Sequence, residues 1–238
     1  MITKYEVLIN FPKGAKFISN PDLYVYKKIL DLIKNTTCLS RISKCKDCPI
    51  NKECTYFKVA GENFKGYPAI FLNVEDFYKK SYKNNEEKYF IFYIIGNKSY
   101  LGEYVNILFE YHLNNILLNN YYLIKHIKSI ELNNDYIEVD ELRVKTLVET
   151  TDIKEAINKM FNYYNDKYMC DFKKVECDIK FNKHKKISKS IIGLNTKKIR
   201  PIGYVGEIQK KISIYNSLFE IGIGKYNFIG GGKLEIKN

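Results

Sequence analysis

Tyr5, Val7, Ile9 and Phe11 alternate with Glu6, Leu8 and Asn10, the period of two that a strand with one buried face requires. Asn20-Pro21 then reads as a cap and first helical position, and Leu23, Tyr26, Leu30 and Ile33 follow on one face of a helix to about Lys34. Beyond a cysteine-rich segment, Ala69 to Val74 and Tyr89 to Ile95 are strand-like. Gly102 to Leu118 reads as a helix with Val105, Leu108, Phe109 and Ile116 inward, and Tyr121 to Leu132 as a closing strand. The order is βαββαβ.

The second half repeats that order without detectable identity to the first. Ile137 to Leu147 reads as a strand in which Asp140-Glu141 breaks the alternation as a bulge does. Asp152-x-x-Glu155 resembles a capping box and opens a helix carrying Ile153, Ile157, Met160, Phe161, Tyr164 and Tyr168. Val175, Cys177, Ile179 and Phe181 alternate like a strand. A basic loop or hairpin arm follows, then a strand over Ile202 to Ile208, a short helix over Ser213 to Ile221, a glycine loop, and a strand over Lys233 to Ile236. The pattern predicts an α+β chain of two tandem ferredoxin-like (RRM-like) βαββαβ domains, 1–134 and 135–238, with a cysteine-rich insertion at 35–58 in the first.

Charge adds direction to this frame. The 238 residues carry a formal +12, which favours polyanionic partners. From Lys173 to Lys211, eleven Lys and Arg200 stand against Glu176, Asp178 and Glu207, a net +9; Lys180 to Arg200 holds eight cations and no acid. A solvated surface loop is the plain reading of such a run, and a phosphate-tracking segment the sharper one. Arginine occurs only at 41, 143 and 200 while Lys, Asn, Ile and Tyr abound, as AT-rich coding produces, so the lysine excess carries less weight than its size. The longest apolar run, Tyr89 to Ile95, is too short for a membrane span, and the N-terminus lacks the apolar core of a secretion signal; a soluble, cytoplasmic protein is expected.

Three groups of residues carry chemistry. The first is Gly222-Ile-Gly224-Lys-Tyr-Asn-Phe-Ile-Gly230-Gly231-Gly232, five glycines in eleven residues, more than a plain helix-to-strand turn needs. It is neither a dinucleotide fingerprint, which follows a strand and opens a helix, nor a P-loop, since Tyr226 follows Lys225. It is a loop of little bulk whose N–H groups can approach a phosphate, with Lys225 adding charge and Tyr226 or Phe228 able to stack on a base. The second is Cys38-x6-Cys45-x2-Cys48-x5-Cys54, four thiols that can share one tetrahedral, structural zinc with no open position for water. Cys170 and Cys177 read as small packing residues.

The G-x-G-x5-G-x-G spacing, after Gly203-Tyr-Val-Gly206 and inside a tandem ferredoxin-like pattern, resembles the RAMP superfamily of CRISPR-associated proteins, and within it the endoribonuclease that processes precursor CRISPR RNA. The cysteine cluster ending in Cys54-Thr-Tyr-Phe, followed by Pro68-Ala-Ile-Phe, is similar to one branch of that family. The resemblance implies RNA cleavage within each repeat that needs no metal, in which a 2′-hydroxyl attacks the adjacent phosphate to leave a 2′,3′-cyclic phosphate and a 5′-hydroxyl. It implies precursor CRISPR RNA as the partner, with CRISPR effector subunits as further candidates; a monomer or homodimer with no membrane partner is expected. Many members place a catalytic histidine in or after the first helix; here none precedes His112.

The third group is therefore the substitutes for that histidine. Tyr24, Lys27, Lys28 and Asp31 lie opposite the apolar face of the first helix, and an ordinary polar face explains them equally. Tyr24, Lys28 and His184 are the catalytic candidates, His184 because it sits inside Asn182-Lys-His-Lys-Lys186, where a nearby anion favours imidazolium. His112 and His126 read as partly buried structural residues. Lys183, Lys185, Lys186, Lys189, Lys197, Lys198, Arg200, Gly222, Gly224, Lys225, Gly230 and Gly232 are the RNA-binding candidates. A non-catalytic RAMP subunit and a zinc-stabilised RNA-binding module remain as alternatives.

Overall fold

The structure is a computed structural model that describes residues 1–39, 45–61, 66–74, 79–97, 100–188, 191–192 and 198–237. The chain divides into two compact units, one comprising residues 3–94 and 98–130, the other residues 1–2, 95–97 and 131–238. Each is built of helices and an antiparallel sheet.

In the first unit, β1 (Ile2–Phe11), α1 (Pro21–Thr37), β2 (Ile70–Asn73), β3 (Glu86–Ile95), α2 (Leu101–Ile107) and β4 (Leu123–Glu131) follow one another, and the sheet runs β2-β3-β1-β4. Asn20 caps α1, its side chain accepting from the Leu23 N–H at 3.0 Å, and Pro21 fills the first turn, where the missing N–H costs nothing. Val25, Tyr26, Ile29, Leu32 and Ile33 form the inner stripe of α1. The second half of β1 is covered on both faces: Leu8 and Asn10 are buried along with Val7 and Ile9, and the Asn10 amide donates to the Asn85 carbonyl at 2.8 Å. Phe90, Phe109 and Tyr122 continue the core through ring contacts.

The expected helix over 102–118 ends early. α2 passes at Leu108–His112 into a single π turn closed by the Leu113 N–H on the Leu108 carbonyl at 2.9 Å, and Asn114 and Asn115 then take positive φ. A two-strand ribbon, Ile116–Leu117 with Asn120–Tyr121, turns through Leu118 and Asn119, again at positive φ. His112 is correspondingly exposed rather than partly buried.

The second unit runs β5 (Tyr136–Val148), α3 (Ile153–Tyr168), β6 (Lys183–Ser188), β7 (Ile202–Tyr215), α4 (Ser217–Ile221) and β8 (Leu234–Ile236), with sheet order β6-β7-β5-β8. Asp152 caps α3 through the Glu155 N–H at 2.9 Å, as the sequence predicts. A bulge does lie at Asp140, but the extra residue belongs to the partner: Lys210 and Lys211 of β7 fit between the pairs Gln209–Glu141 and Ile212–Val139. β7 also extends to Tyr215, taking over the start of the expected helix at Ser213.

The segment from Val175 to Phe181 is not a strand. Its alternation is real, Val175 and Ile179 being buried, yet its polar backbone is met by α3. The Asn158 side chain accepts from the Val175 N–H and donates to the Val175 carbonyl, at 2.8 and 3.0 Å, and Asn165 brackets Phe172 the same way. The edge strand is the basic segment itself, β6, which pairs antiparallel with β7, as the hairpin-arm reading of that segment expects, and is not a loop.

Candidate catalytic cleft and nucleic-acid face

On the first unit, α1 and the end of α2 enclose a cleft of about 190 Å³ lined by Tyr24, Lys28, Asp31, Leu32, Asn35, Leu108, His112, Leu113 and Ile116. Tyr24 and Lys28 are one turn apart on α1, and the Lys28 Nζ lies 5.5 Å from the Tyr24 ring centroid. The π turn delivers His112 to the same cleft. An extra residue in that turn changes the phase of the helix, so 3.6-residue spacing places this side chain wrongly. The Asn114-Asn115 pair was the available signal, because asparagine just past a periodic run marks a helix C-terminus and puts His112 in the last turn. A phenol and an imidazole around one small hollow can exchange protons with a bound phosphate ester, and the ammonium beside them can offset negative charge on it.

On the second unit, β6, β7 and β5 form a shallow hollow of about 480 Å³ lined by Arg143, Val144, Lys145, Lys183, His184, Lys185, Val205, Gly206 and Glu207. The register sets Lys183 across from Glu207 and Glu207 across from Arg143, with Lys185 across from Val205. Lys237 engages the Glu207 carboxylate at 3.1 Å, and Lys145 reaches Glu235 at 3.0 Å. Arg143, Lys183 and Lys185 have no ion-pair partner among the described residues. His184 contributes to the lining of the hollow although strand alternation turns its side chain away from the row of Lys183 and Lys185; its ring stands 5.9 Å from Phe181 and 5.6 Å from Tyr204. Lys186 pairs with Tyr204 in the ladder, and Arg200 is exposed. Lys189 and Lys197 lie outside the described residues; Lys198 joins a short ladder with Ile192.

The glycine loop is folded on itself. Gly222, Gly224, Gly230 and Gly232 are buried and all have positive φ, between 64° and 77°. Most of its N–H groups already donate: Ile223 to the Gly232 carbonyl, Gly230 to Asn227, Gly231 to Tyr226, and Gly232 to Leu147, all between 2.8 and 3.0 Å. The Lys225 N–H is held by both carboxylate oxygens of Glu149, at 3.0 and 3.1 Å. The exposed part of the loop is the Lys225 side chain, whose Nζ lies 5.0 Å from the Tyr226 ring centroid.

Cys38, Cys45, Cys48 and Cys54 are partly exposed thiols of the first unit, none of them in a disulfide. The Cys45–Asp47 turn brings the Cys48 N–H to 3.3 Å from the Cys45 carbonyl. Burial pushes the Cys45 thiol up; Lys34 opposes it, and the nearness of Cys38, Cys54 and Cys48 adds to it. In this arrangement no three His, Cys, Asp or Glu side chains among the described residues close around a point that could hold a metal ion.

No family model and no curated protein matches the sequence. Solved structures do match its fold. One titled "CRISPR associated protein Cas6" is 13% identical over 100% of both chains, with a TM-score of 0.51. Another, "An RAMP protein binding different RNA substrates", is 13% identical over 99% of this chain and 100% of that one, with a TM-score of 0.52. A Cas6 product complex is 8% identical over 99% of each chain, with a TM-score of 0.54. No helix among the described residues is long and apolar enough to cross a membrane. From end to end, the chain has the α+β fold of the Cas6 and RAMP CRISPR-associated proteins.

Proposed function

We propose that this protein is a CRISPR-associated endoribonuclease that cuts precursor CRISPR RNA within its repeats, through attack of a 2′-hydroxyl on the adjacent phosphate. The observation that carries the reading is the convergence of Tyr24, Lys28 and His112 on one cleft. Neutral imidazole at His112 takes the 2′-proton, the 2′-oxygen bonds to phosphorus, and the bond from phosphorus to the 5′-oxygen breaks as that oxygen takes the Tyr24 proton. Lys28 offsets the extra negative charge of the phosphorane. These three residues supply base, acid and cation, so the step needs no metal. The strand order in both sheets supports reading each unit as ferredoxin-like.

A structural zinc on Cys38, Cys45, Cys48 and Cys54 belongs to the same reading, supported by the three other thiols within electrostatic reach of Cys45. Loading would bring the sulfurs closer than they stand.

The test is single-turnover cleavage of repeat RNA with chelator present. Wild-type protein should leave a 2′,3′-cyclic phosphate. His112→Ala, Tyr24→Phe and Lys28→Ala should each slow cleavage by about 10²- to 10⁴-fold while RNA affinity and melting temperature hold. His184→Ala, by contrast, should cut at nearly the wild-type rate. Full activity in all three cleft variants would move the chemistry elsewhere. Binding without any cleavage by wild type would favour the non-catalytic RAMP subunit.

A further inference from the structure

Beside the cationic hollow lies a second cavity of about 240 Å³, formed by Lys145, Thr146 and Leu147 of β5, Ile187 of β6, and Tyr226 and Ile229 of the glycine loop, closed by the Gly230-Gly231 backbone. Its wall is apolar and aromatic for the most part, and it shares Lys145 with the hollow that Arg143, Lys183 and Lys185 line. Ile187 continues the row of Lys183 and Lys185 along β6, every second residue facing the same way. Lys145 lines both cavities and pairs with Glu235 at 3.0 Å, a surface ion pair that contributes little and can be re-aimed. The Lys225 ammonium 5.0 Å from the Tyr226 centroid keeps positive charge at the rim.

We infer that this cavity takes one unpaired nucleobase of an RNA strand whose phosphates lie along Arg143, Lys183 and Lys185. The argument is one of chemistry and size. An apolar slot with a phenol ring attracts a flat heterocycle, and the cations next to it attract the phosphate that such a heterocycle carries. At 240 Å³ the slot is smaller than a drug-sized pocket, which begins near roughly 300 Å³, so it admits a single base and no pair. The neighbouring loop N–H groups are already committed inside the loop, so the base is held by stacking and shape rather than read by its edge. The bound nucleotide is thus chosen for being unpaired. This site rests on the reading of the protein as one that binds CRISPR RNA.

Removing bases one at a time from the repeat RNA tests it. In wild type, one unpaired position should lose about tenfold in affinity when made abasic, the size of a single stacked base. In Tyr226→Ala and in Ile187→Ala that position should no longer matter, whereas Tyr226→Phe should keep the effect. Both alanine variants change partly exposed side chains, and their melting temperatures should stay at the wild-type value. Equal abasic profiles in wild type and Tyr226→Ala, with RNA still bound and cut, would overturn the base site and leave the endoribonuclease reading standing. A wild-type protein that binds no repeat RNA would overturn both.

Discussion

Gly232 illustrates how a residue can be legible in sequence for a different reason from the one first given. Five glycines in eleven residues mark a special backbone, and open access for a phosphate is one physical account of them. The structure supplies another: a Cβ on Gly232 would stand 1.9 Å from the Ile223 carbonyl oxygen and 2.6 Å from its nitrogen, at a φ of +64°. The glycines let two passes of the same loop cross while their N–H groups bond each other. Gly232→Ala should therefore destabilise the protein by more than about 2 kcal/mol, the left-handed penalty plus the clash, read as a lowered melting temperature. Lys225→Ala, at an exposed side chain, should leave the melting temperature in place. Equal melting temperatures for the two variants would mean that the loop tolerates a side chain where its chains cross. His112 is the opposite case: the residue was visible, but a π turn shifts it out of the register from which its burial would be judged.

At the scale of elements, caps and amphipathic stripes were readable because their signals are local. Asn20-Pro21 and Asp152 fix the starts of α1 and α3 through bonds spanning three residues. Strand assignment around β6 was not, because alternation reports a buried face and says nothing about where the backbone bonds. Residues 175–181 bury Val175 and Ile179, and Asn158 of α3 supplies the polar partner of the Val175 backbone, while the polar Lys183–Ser188 pairs with β7. The cysteine segment has the converse property, a spacing stronger than its geometry. If it holds zinc, the metal requires thiolates, and Cys45 starts with its thiol pushed up by burial. A neutral thiol persists to higher pH there, so zinc occupancy should approach about one per chain at alkaline pH and fall as pH drops, protons displacing the metal. Chelation should lower the melting temperature of wild type and leave Cys45→Ser/Cys48→Ser unaffected. Metal analysis by mass spectrometry and a thermal scan at two pH values check this; metal-free protein with an unchanged melting temperature at both would exclude a structural role.

For the molecule as a whole, net charge is a poor guide until structure divides it into paired and unpaired groups. The sequence concentrates +9 between Lys173 and Lys211, but several of these cations are occupied. Lys180 lies 3.4 Å from Asp178, and Lys211 lies 2.7 Å from Glu138, which raises the Lys211 ammonium above its usual range. Arg143, Lys183 and Lys185 have no such partner among the described residues, and Arg143 comes from a strand forty residues upstream that the charge run does not include. A cationic side chain releases the counterions condensed on RNA only where it is free to meet a phosphate, so the salt dependence of RNA binding should track these three and not the whole run. Arg143→Ala/Lys183→Ala/Lys185→Ala should flatten the slope of log affinity against log salt by about 2, three contacts at roughly 0.7 each on a single strand. Lys180→Ala/Lys211→Ala should hardly change it, since those ammonium groups already face carboxylates. Titrations of each variant with repeat RNA between low and moderate salt measure the two slopes directly. A triple variant with the wild-type slope would place the phosphates away from this sheet face, and the exposed cations of β6 would then be solvated surface alone.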